Sequence, residues 1–187
     1  AGLRYQSPQW FAELSVYLME KDQVIVKDSN SYVVNDAKTR HRGIEWLMRY
    51  QINTDWQITS VAAWTKHQYS YLRLYSGINI DGNDIDTAPR WEGSAQLLYQ
   101  PSQNRSAELE WTYLGKYFLD PQNTHAYAGH AVLNLRGQQT YGSWEFAAQL
   151  TNLTDRRIAD RADYAFGSYR YFVGEGRGIA LEIKRVF

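Results

Sequence analysis

Apolar and polar residues alternate along most of this chain with a period of two. The last ten residues show it most cleanly. Ile179, Leu181, Ile183, Arg185 and Phe187 fall on one face, and Gly178, Ala180, Glu182, Lys184 and Val186 on the other. Such alternation predicts a strand with one apolar and one polar face. The pattern recurs upstream. Residues 9–20 set Trp10, Ala12, Leu14, Val16 and Leu18 on one side, and residues 41–52 oppose Ile44, Trp46, Met48, Tyr50 and Ile52 to Glu45, Leu47, Arg49 and Gln51. A long strand is expected from Trp56 to about Leu74, with Ile58, Ala62 and Trp64 on its apolar side and the least regular period of the set. Trp91, Ala95, Leu97 and Tyr99 then oppose Glu92, Ser94, Gln96 and Gln100; Ala107, Leu109, Trp111 and Tyr113 oppose Ser106, Glu108, Glu110 and Thr112. Ala131, Leu133 and Leu135 oppose His130, Asn134 and Arg136, and Trp144, Phe146, Ala148 and Leu150 oppose Glu145, Ala147 and Gln149. With a remnant at residues 2–6, this makes about nine strands.

The breaks between strands alternate in length. Short ones fall at Ser7-Pro8, Asn53-Thr54-Asp55, residues 101–105 and Tyr141-Gly142-Ser143, all rich in turn-forming residues. Long polar ones cover residues 21–38, 75–89, 116–127 and 152–177; the first is expected to hold a small hairpin, Val24-Ile25-Val26 opposite Tyr32-Val33-Val34. Short turns on one side and long loops on the other are the asymmetry of an antiparallel transmembrane β-barrel. Aromatic residues agree with it. Trp10, Trp56 and Trp144 each begin a strand after a short turn, while Tyr50, Tyr99 and Phe187 each end one beside that rim. Six aromatics at one level predict a girdle at the periplasmic membrane interface. A soluble antiparallel sandwich also alternates, but it requires neither feature.

Composition narrows the function. Lys plus Arg equals Asp plus Glu at 20 each in 187 residues, so no bulk charge points to nucleic acid. Cysteine is absent and aromatics reach 15%. No run of eighteen apolar residues predicts a transmembrane helix, a test that barrel strands evade. The polar faces carry Glu45, Arg49, Glu92, Gln96, Glu108, Glu110, Arg136, Glu145, Glu182 and Lys184, which would line a lumen. His41, His67, His125 and His130 lack metal-ligand spacing, so no metal and no cofactor is expected. Gly174, Gly176 and Gly178 lead into a strand and not a helix, so no phosphate cradle is implied. No nucleophile triad or paired carboxylates suggest an enzyme. The opening AGLRYQSPQW carries no signal peptide, so the chain is expected to be a piece of a longer precursor.

The C-terminal stretch NLTDRRIADRADY, then RYFVGEGR and an alternating strand ending on Phe187, resembles the end of a TonB-dependent outer-membrane receptor. GIEWLMRYQI, TAPRWEGSAQLLYQP and GKYFLDPQNTHAYAGHAVLNLR carry weaker echoes. Val173 stands where that family often has proline, and Arg185 interrupts the apolar face. The resemblance implies that residues 1–187 are the C-terminal portion of a barrel of about 22 strands with a plugged lumen. The earlier strands and the N-terminal plug would lie outside this chain. It implies a multi-pass bacterial outer-membrane protein whose terminal Phe187 marks the last strand for the barrel assembly machinery. It also implies energy-coupled uptake of a scarce ligand, most often a ferric siderophore, driven by the inner-membrane TonB complex. Haem, cobalamin or a glycan would be other cargoes, and a passive porin or adhesin a different class.

Residues 152–177 form the longest connection, and connections beyond about twelve to fifteen residues are usually functional or disordered. Arg156, Arg157, Arg161 and Arg170 lie there among Tyr164, Phe166, Tyr169, Tyr171 and Phe172. Guanidinium groups bind carboxylates or catecholates bidentately and aromatic rings stack on flat ligands. Arg161, Tyr164, Tyr169, Arg170 and Tyr171 are therefore the candidate ligand contacts. The competing reading is that Asp155, Asp160 and Asp163 pair with the arginines and that the aromatics pack the loop onto the rim.

Overall fold

The computed structural model describes residues 1–27, 33–71, 74–75 and 77–186. Fifteen strands follow in chain order: β1 (Gly2–Gln6), β2 (Trp10–Lys27), β3 (Val33–Gln51), β4 (Trp56–Tyr69), β5 (Leu74–Tyr75), β6 (Ile78–Asn79), β7 (Trp91–Ser102), β8 (Arg105–Leu114), β9 (Tyr117–Phe118), β10 (Ala126–Tyr127), β11 (His130–Tyr141), β12 (Trp144–Thr151), β13 (Ala159–Ala165), β14 (Ser168–Val173) and β15 (Gly178–Arg185). Nine of them make one antiparallel sheet in the order β1-β2-β3-β4-β7-β8-β11-β12-β15. The other six form three small hairpins inside the long connections, β5 with β6, β9 with β10, and β13 with β14.

Register turns nine separate alternations into two continuous faces. Trp10, Tyr50, Ile58, Leu97, Leu109, Leu135, Leu150 and Ile179 are successive cross-strand partners on eight strands. One residue along, Arg49, Thr59, Gln96, Glu110 and Asn134 run side by side on the other face. There Gln96 and Asn134 each donate an amide N–H to Glu110, at 3.0 and 3.1 Å. A one-residue slip would move every apolar side chain to the polar face, which is why the pairing is so well specified.

Among the described residues no second sheet covers the apolar face. Ile179, Leu181 and Ile183 remain exposed, as do Leu109, Trp111 and Phe146. Among the described residues the buried apolar side chains are Ala37, Tyr69, Ile80, Tyr117, Leu119, Ala159 and Ala162. All of them lie at the long-connection end. A sandwich would place its core against the apolar rows, so that reading falls.

Several boundaries differ from expectation for local reasons. β2 and β3 continue as one ladder to the pairs Val26–Val34 and Lys27–Val33, so the small hairpin is their extension. Register shifts after Lys21 and Val24, with Gln23 at φ 55°, mark the bulges; Tyr32 lies outside the described residues. β4 stops at Tyr69, and Leu74 belongs to β5. β7 runs through Pro101 to Ser102, with a register shift between Tyr99 and Ser102. A bulge is where a residue without an N–H is tolerated in a sheet. Deep in the sheet, the Tyr17 ring lies across its partner Gly43, where an added Cβ would meet it at 2.8 Å.

The outward face changes character along its height. Val16, Ile44 and Trp64 end the apolar part, and beyond them stand Arg42 and its partner Lys66, then the Arg40–Glu20 ion pair at 2.8 Å. From Tyr50 to Ile44 the strand rises about 20 Å, close to the ~25 Å apolar band of an outer-membrane barrel. Trp64 pairs with Trp91, and Tyr113 pairs with Gly93 one step inside that boundary. The Trp91 ring lies 6.3 Å from Trp46 and 6.5 Å from Trp64. This second aromatic level was absent from the sequence-based expectation.

Candidate functional site

At the opposite, short-turn rim the expected aromatics gather. Trp10 stacks on Tyr50 with ring centroids 4.2 Å apart, and Trp56 meets Tyr99 at 4.5 Å. Trp144 is the cross-strand partner of Arg185, whose guanidinium lies 5.3 Å from its ring centre. Arg185 thus interrupts the apolar face only where a cation can rest on an aromatic surface. Phe187 lies outside the described residues.

At the long-connection end, three segments fold onto one another. Tyr117, Leu119 and Ala162 form a small core, with Leu114, Tyr127 and Tyr164 packed against it. The Tyr117 hydroxyl accepts the Ala162 N–H at 2.9 Å, and the Tyr127 hydroxyl accepts the Ala159 N–H at 3.2 Å. The hairpin of β13 and β14 is thereby held on the β9–β10 segment. Asn123 joins that segment to residues 70–90: its Oδ1 accepts the Asp84 N–H at 2.8 Å and its Nδ2 donates to the Asp84 carbonyl at 2.9 Å. Asp84 in turn holds Arg90 through two bonds of 2.8 and 3.0 Å. Gly129, at φ 81°, returns the chain to the sheet where a Cβ would press within 2.3 Å of the Leu114 carbonyl oxygen.

Asp120 organises the middle segment. It accepts the backbone N–H groups of Thr124 and His125 at 2.9 and 3.1 Å, the Thr124 hydroxyl, and the His125 ring at 2.9 Å. Partial burial pushes its carboxyl up, but these hydrogen bonds outweigh it and hold the group below the ordinary carboxylate value. The His125 ring, oriented this way, stacks on Tyr164 at 3.5 Å and 9°.

The hairpin of β13 and β14 has two distinct faces. Ala162 with Tyr171 and Tyr164 with Tyr169 are opposite pairs on the packed face. Tyr169 and Tyr171 stack 6.2 Å apart, and Tyr127 lies 6.3 Å from Tyr171. Asp163 with Arg170 and Arg161 with Phe172 are pairs on the other face. Asp163 is 8% exposed and binds both Arg170 and Arg161, the latter at 3.5 Å. Arg161 lies 5.5 Å from the Phe172 ring and Arg170 5.9 Å from that of Phe166. Phe166, at the turn with φ 53°, is 98% exposed.

A cavity of about 460 Å³ opens between these segments, lined by Tyr75, Asp120, Gln122, His125, Tyr164 and Phe166 among others. Of the five candidate contacts, only Tyr164 lines it. Arg161 and Arg170 sit on the opposite hairpin face around Asp163, and Tyr169 and Tyr171 flank the packed edge. Asp120 and His125 carry no sequence signal as neighbours of this cavity, because the segments meet only in three dimensions, whereas Phe166 belongs to the loop aromatics named from the sequence.

Solved structures share this architecture. The siderophore receptor PiuA from Acinetobacter baumannii superposes with a TM-score of 0.79 at 16% identity, over 97% of this chain and 27% of that protein. The ferric citrate transporter FecA gives 0.81 at 21% identity, over 97% and 29%. The ferric yersiniabactin uptake receptor FyuA from Yersinia pestis gives 0.81 at 14% identity, over 97% and 28%. The chain therefore spans less than a third of each of these proteins. The family model described as TonB dependent receptor-like, beta-barrel matches residues 1–153, most of the sheet, and the chain belongs to that family.

Proposed function

We propose that this chain is the C-terminal part of a receptor barrel of about 22 strands that takes up a scarce ligand across the bacterial outer membrane, with a ferric siderophore as the ligand class. Members of the family are transport proteins of the bacterial outer membrane and not enzymes. The observation that carries the reading is the uncovered apolar face spanning eight strands, joined at one end to three interlocked long connections around an aromatic-lined cavity. In this reading the apolar rows face lipid as a multi-pass barrel wall, the row through Glu110 faces the lumen, and the short-turn rim is periplasmic. An N-terminal plug and the earlier strands complete the receptor. The inner-membrane TonB complex supplies energy through that plug, and Phe187 serves the barrel assembly machinery.

The names of the superposed proteins support an iron chelate as cargo. Arg161 and Arg170 supply a cationic surface on one face of the hairpin, around Asp163, and Tyr164, Tyr169 and Tyr171 a stacking surface on the other, with Tyr164 lining the cavity. The test is to replace Arg161 and Arg170 by alanine in the complete receptor and measure binding of iron-loaded siderophores to whole cells. Lost affinity at unchanged surface level is expected. Unchanged affinity would remove these arginines from the ligand site. Uptake that selects haem, cobalamin or a glycan would replace the cargo, and uptake that persists without TonB would replace the receptor by a passive porin.

A further inference from the structure

Outside this cluster, one pair of side chains has a geometry that strand packing alone does not call for. His41 on β3 and His67 on β4 are cross-strand partners, each thirteen residues from Thr54 in the turn between them. Their Nδ1 atoms face each other at 2.8 Å. Both rings point to the inner face, opposite to Arg42 and Lys66, and lie just beyond the apolar band. The neutral ring is the form that ligates a metal.

We propose that His41 and His67 form a binding site for a late first-row transition-metal ion, copper above all, with Met19 as a third donor. Two imidazoles meeting Nδ1 to Nδ1 share a single proton; once that proton moves to Nε2 of its own ring, both Nδ1 lone pairs are free and a metal ion can stand between them. At metal–nitrogen distances of about 2.0–2.1 Å and a tetrahedral angle, the two nitrogens would stand roughly 3.3 Å apart. The rings need to part by only about half an ångström for that, and both are half-exposed. The second ring nitrogen of His41 is already engaged: Nε2 lies 2.8 Å from the Thr39 hydroxyl, and Thr39 is 3% exposed. Metal-bound histidines usually have such an oxygen partner on the far nitrogen, which fixes ring orientation and leaves the near nitrogen free to ligate. Met19 is the cross-strand partner of His41 on β2 and so lies on the same inner face. A thioether beside two imidazoles selects copper over harder cations. Among the described residues no group of three or more His, Cys, Asp or Glu gathers; the set proposed here is two imidazoles and a thioether. The histidine pair rests on the β3–β4 register and the third donor on the β2–β3 register, and the inference stands apart from the uptake reading.

The experiment uses the intact receptor in detergent, comparing wild type with His41→Ala, His67→Ala, their double variant and Thr39→Val. Folding of each is checked by heat-modifiable gel mobility. Copper(II) is titrated at micromolar free metal, and electron paramagnetic resonance reads the equatorial nitrogens. Losing an outer partner typically costs 10–100-fold in metal affinity, so Thr39→Val should fall in that range and each histidine variant should lose at least as much. The double variant should lack the two-nitrogen signal. Met19→Leu should weaken copper(I) in competition with a chromogenic chelator. A folded double variant that binds copper like wild type would overturn the site, as would wild type that binds no copper at micromolar free metal. The second result would leave the pair as a hydrogen-bonded histidine dyad.

Discussion

Asn152 donates its side-chain amide to the carbonyl oxygen of Glu175, 23 residues later, at 3.2 Å. The same Nδ2 donates to the Arg156 carbonyl at 2.8 Å, and Oδ1 accepts the Arg156 N–H at 3.0 Å. Asn152 also sits at φ 48° and is 2% exposed, with its own N–H bound to Asn134 Oδ1 at 3.0 Å. One side chain thus ties both feet of the last long connection to the sheet. Three residues on, Asp155 forms an ion pair with Arg177 at 3.0 Å across the same neck. This is the physical content of the Asn-Leu-Thr-Asp step.

Asn152→Ala should therefore loosen the whole connection. Each buried partner left without a hydrogen bond costs about 1–3 kcal/mol, and a non-glycine residue without a local hydrogen bond adds roughly 1–2 kcal/mol at positive φ. Hydrogen exchange in the intact receptor should show residues 156–177 losing protection while β7 and β8 keep theirs. Unchanged exchange in the connection would count against the tie.

Lipid exposure of the apolar rows has a direct thermodynamic test. Leu109→Arg, Leu133→Arg and Leu181→Arg should each cost about 2–4 kcal/mol if they face lipid near the midplane. Gln96→Arg, one row away on the other face and beside Glu110, should cost far less. Equal costs in reversible unfolding from lipid would contradict the assignment.

The sheet itself ends on β1 and β15, each paired on one side only. Open strand edges leave backbone groups unsatisfied, which hydrocarbon does not tolerate. Residues 1–187 expressed alone should fail to insert as a heat-modifiable, protease-resistant species. A stable monomer in liposomes with strand-rich circular dichroism would defeat this prediction.

The Asp120 knot gives a pH prediction. Its carboxyl is lowered in the folded chain, so the stabilisation is present above the unfolded value of about 3.9 and is lost as pH falls through the lower folded value. The stack of His125 on Tyr164 should persist at pH 5 and give way only in stronger acid. Near-ultraviolet circular dichroism of wild type against Asp120→Ala separates this transition from global unfolding. Loss of the signal already at pH 5 in wild type would be the contrary result.

Much of this architecture was legible in the chain because its determinants are local. Alternation assigns each residue to a face, and turn-forming residues separate strands, so the nine strands, the two faces and the short-turn aromatic pairs Trp10–Tyr50 and Trp56–Tyr99 could all be read from neighbours in sequence. The His41–His67 contact was within reach, since the short turn around Thr54 places the two residues opposite each other; spacing along the chain, the criterion applied to histidines, does not see it. What remained hidden was non-local. Two polar connections, unremarkable singly, share the core of Tyr117, Leu119 and Ala162, a third is tied to them through Asn123 and Asp84, and only that packing aims Tyr164 at His125; the pairing of Arg161 and Arg170 with Asp163 is local to one hairpin and follows the interleaved charges of the chain. Strand faces follow from a two-residue period, whereas the shape of a loop cluster depends on which distant segments bury one another's backbone, a choice made only when the whole sheet has set their anchors in place.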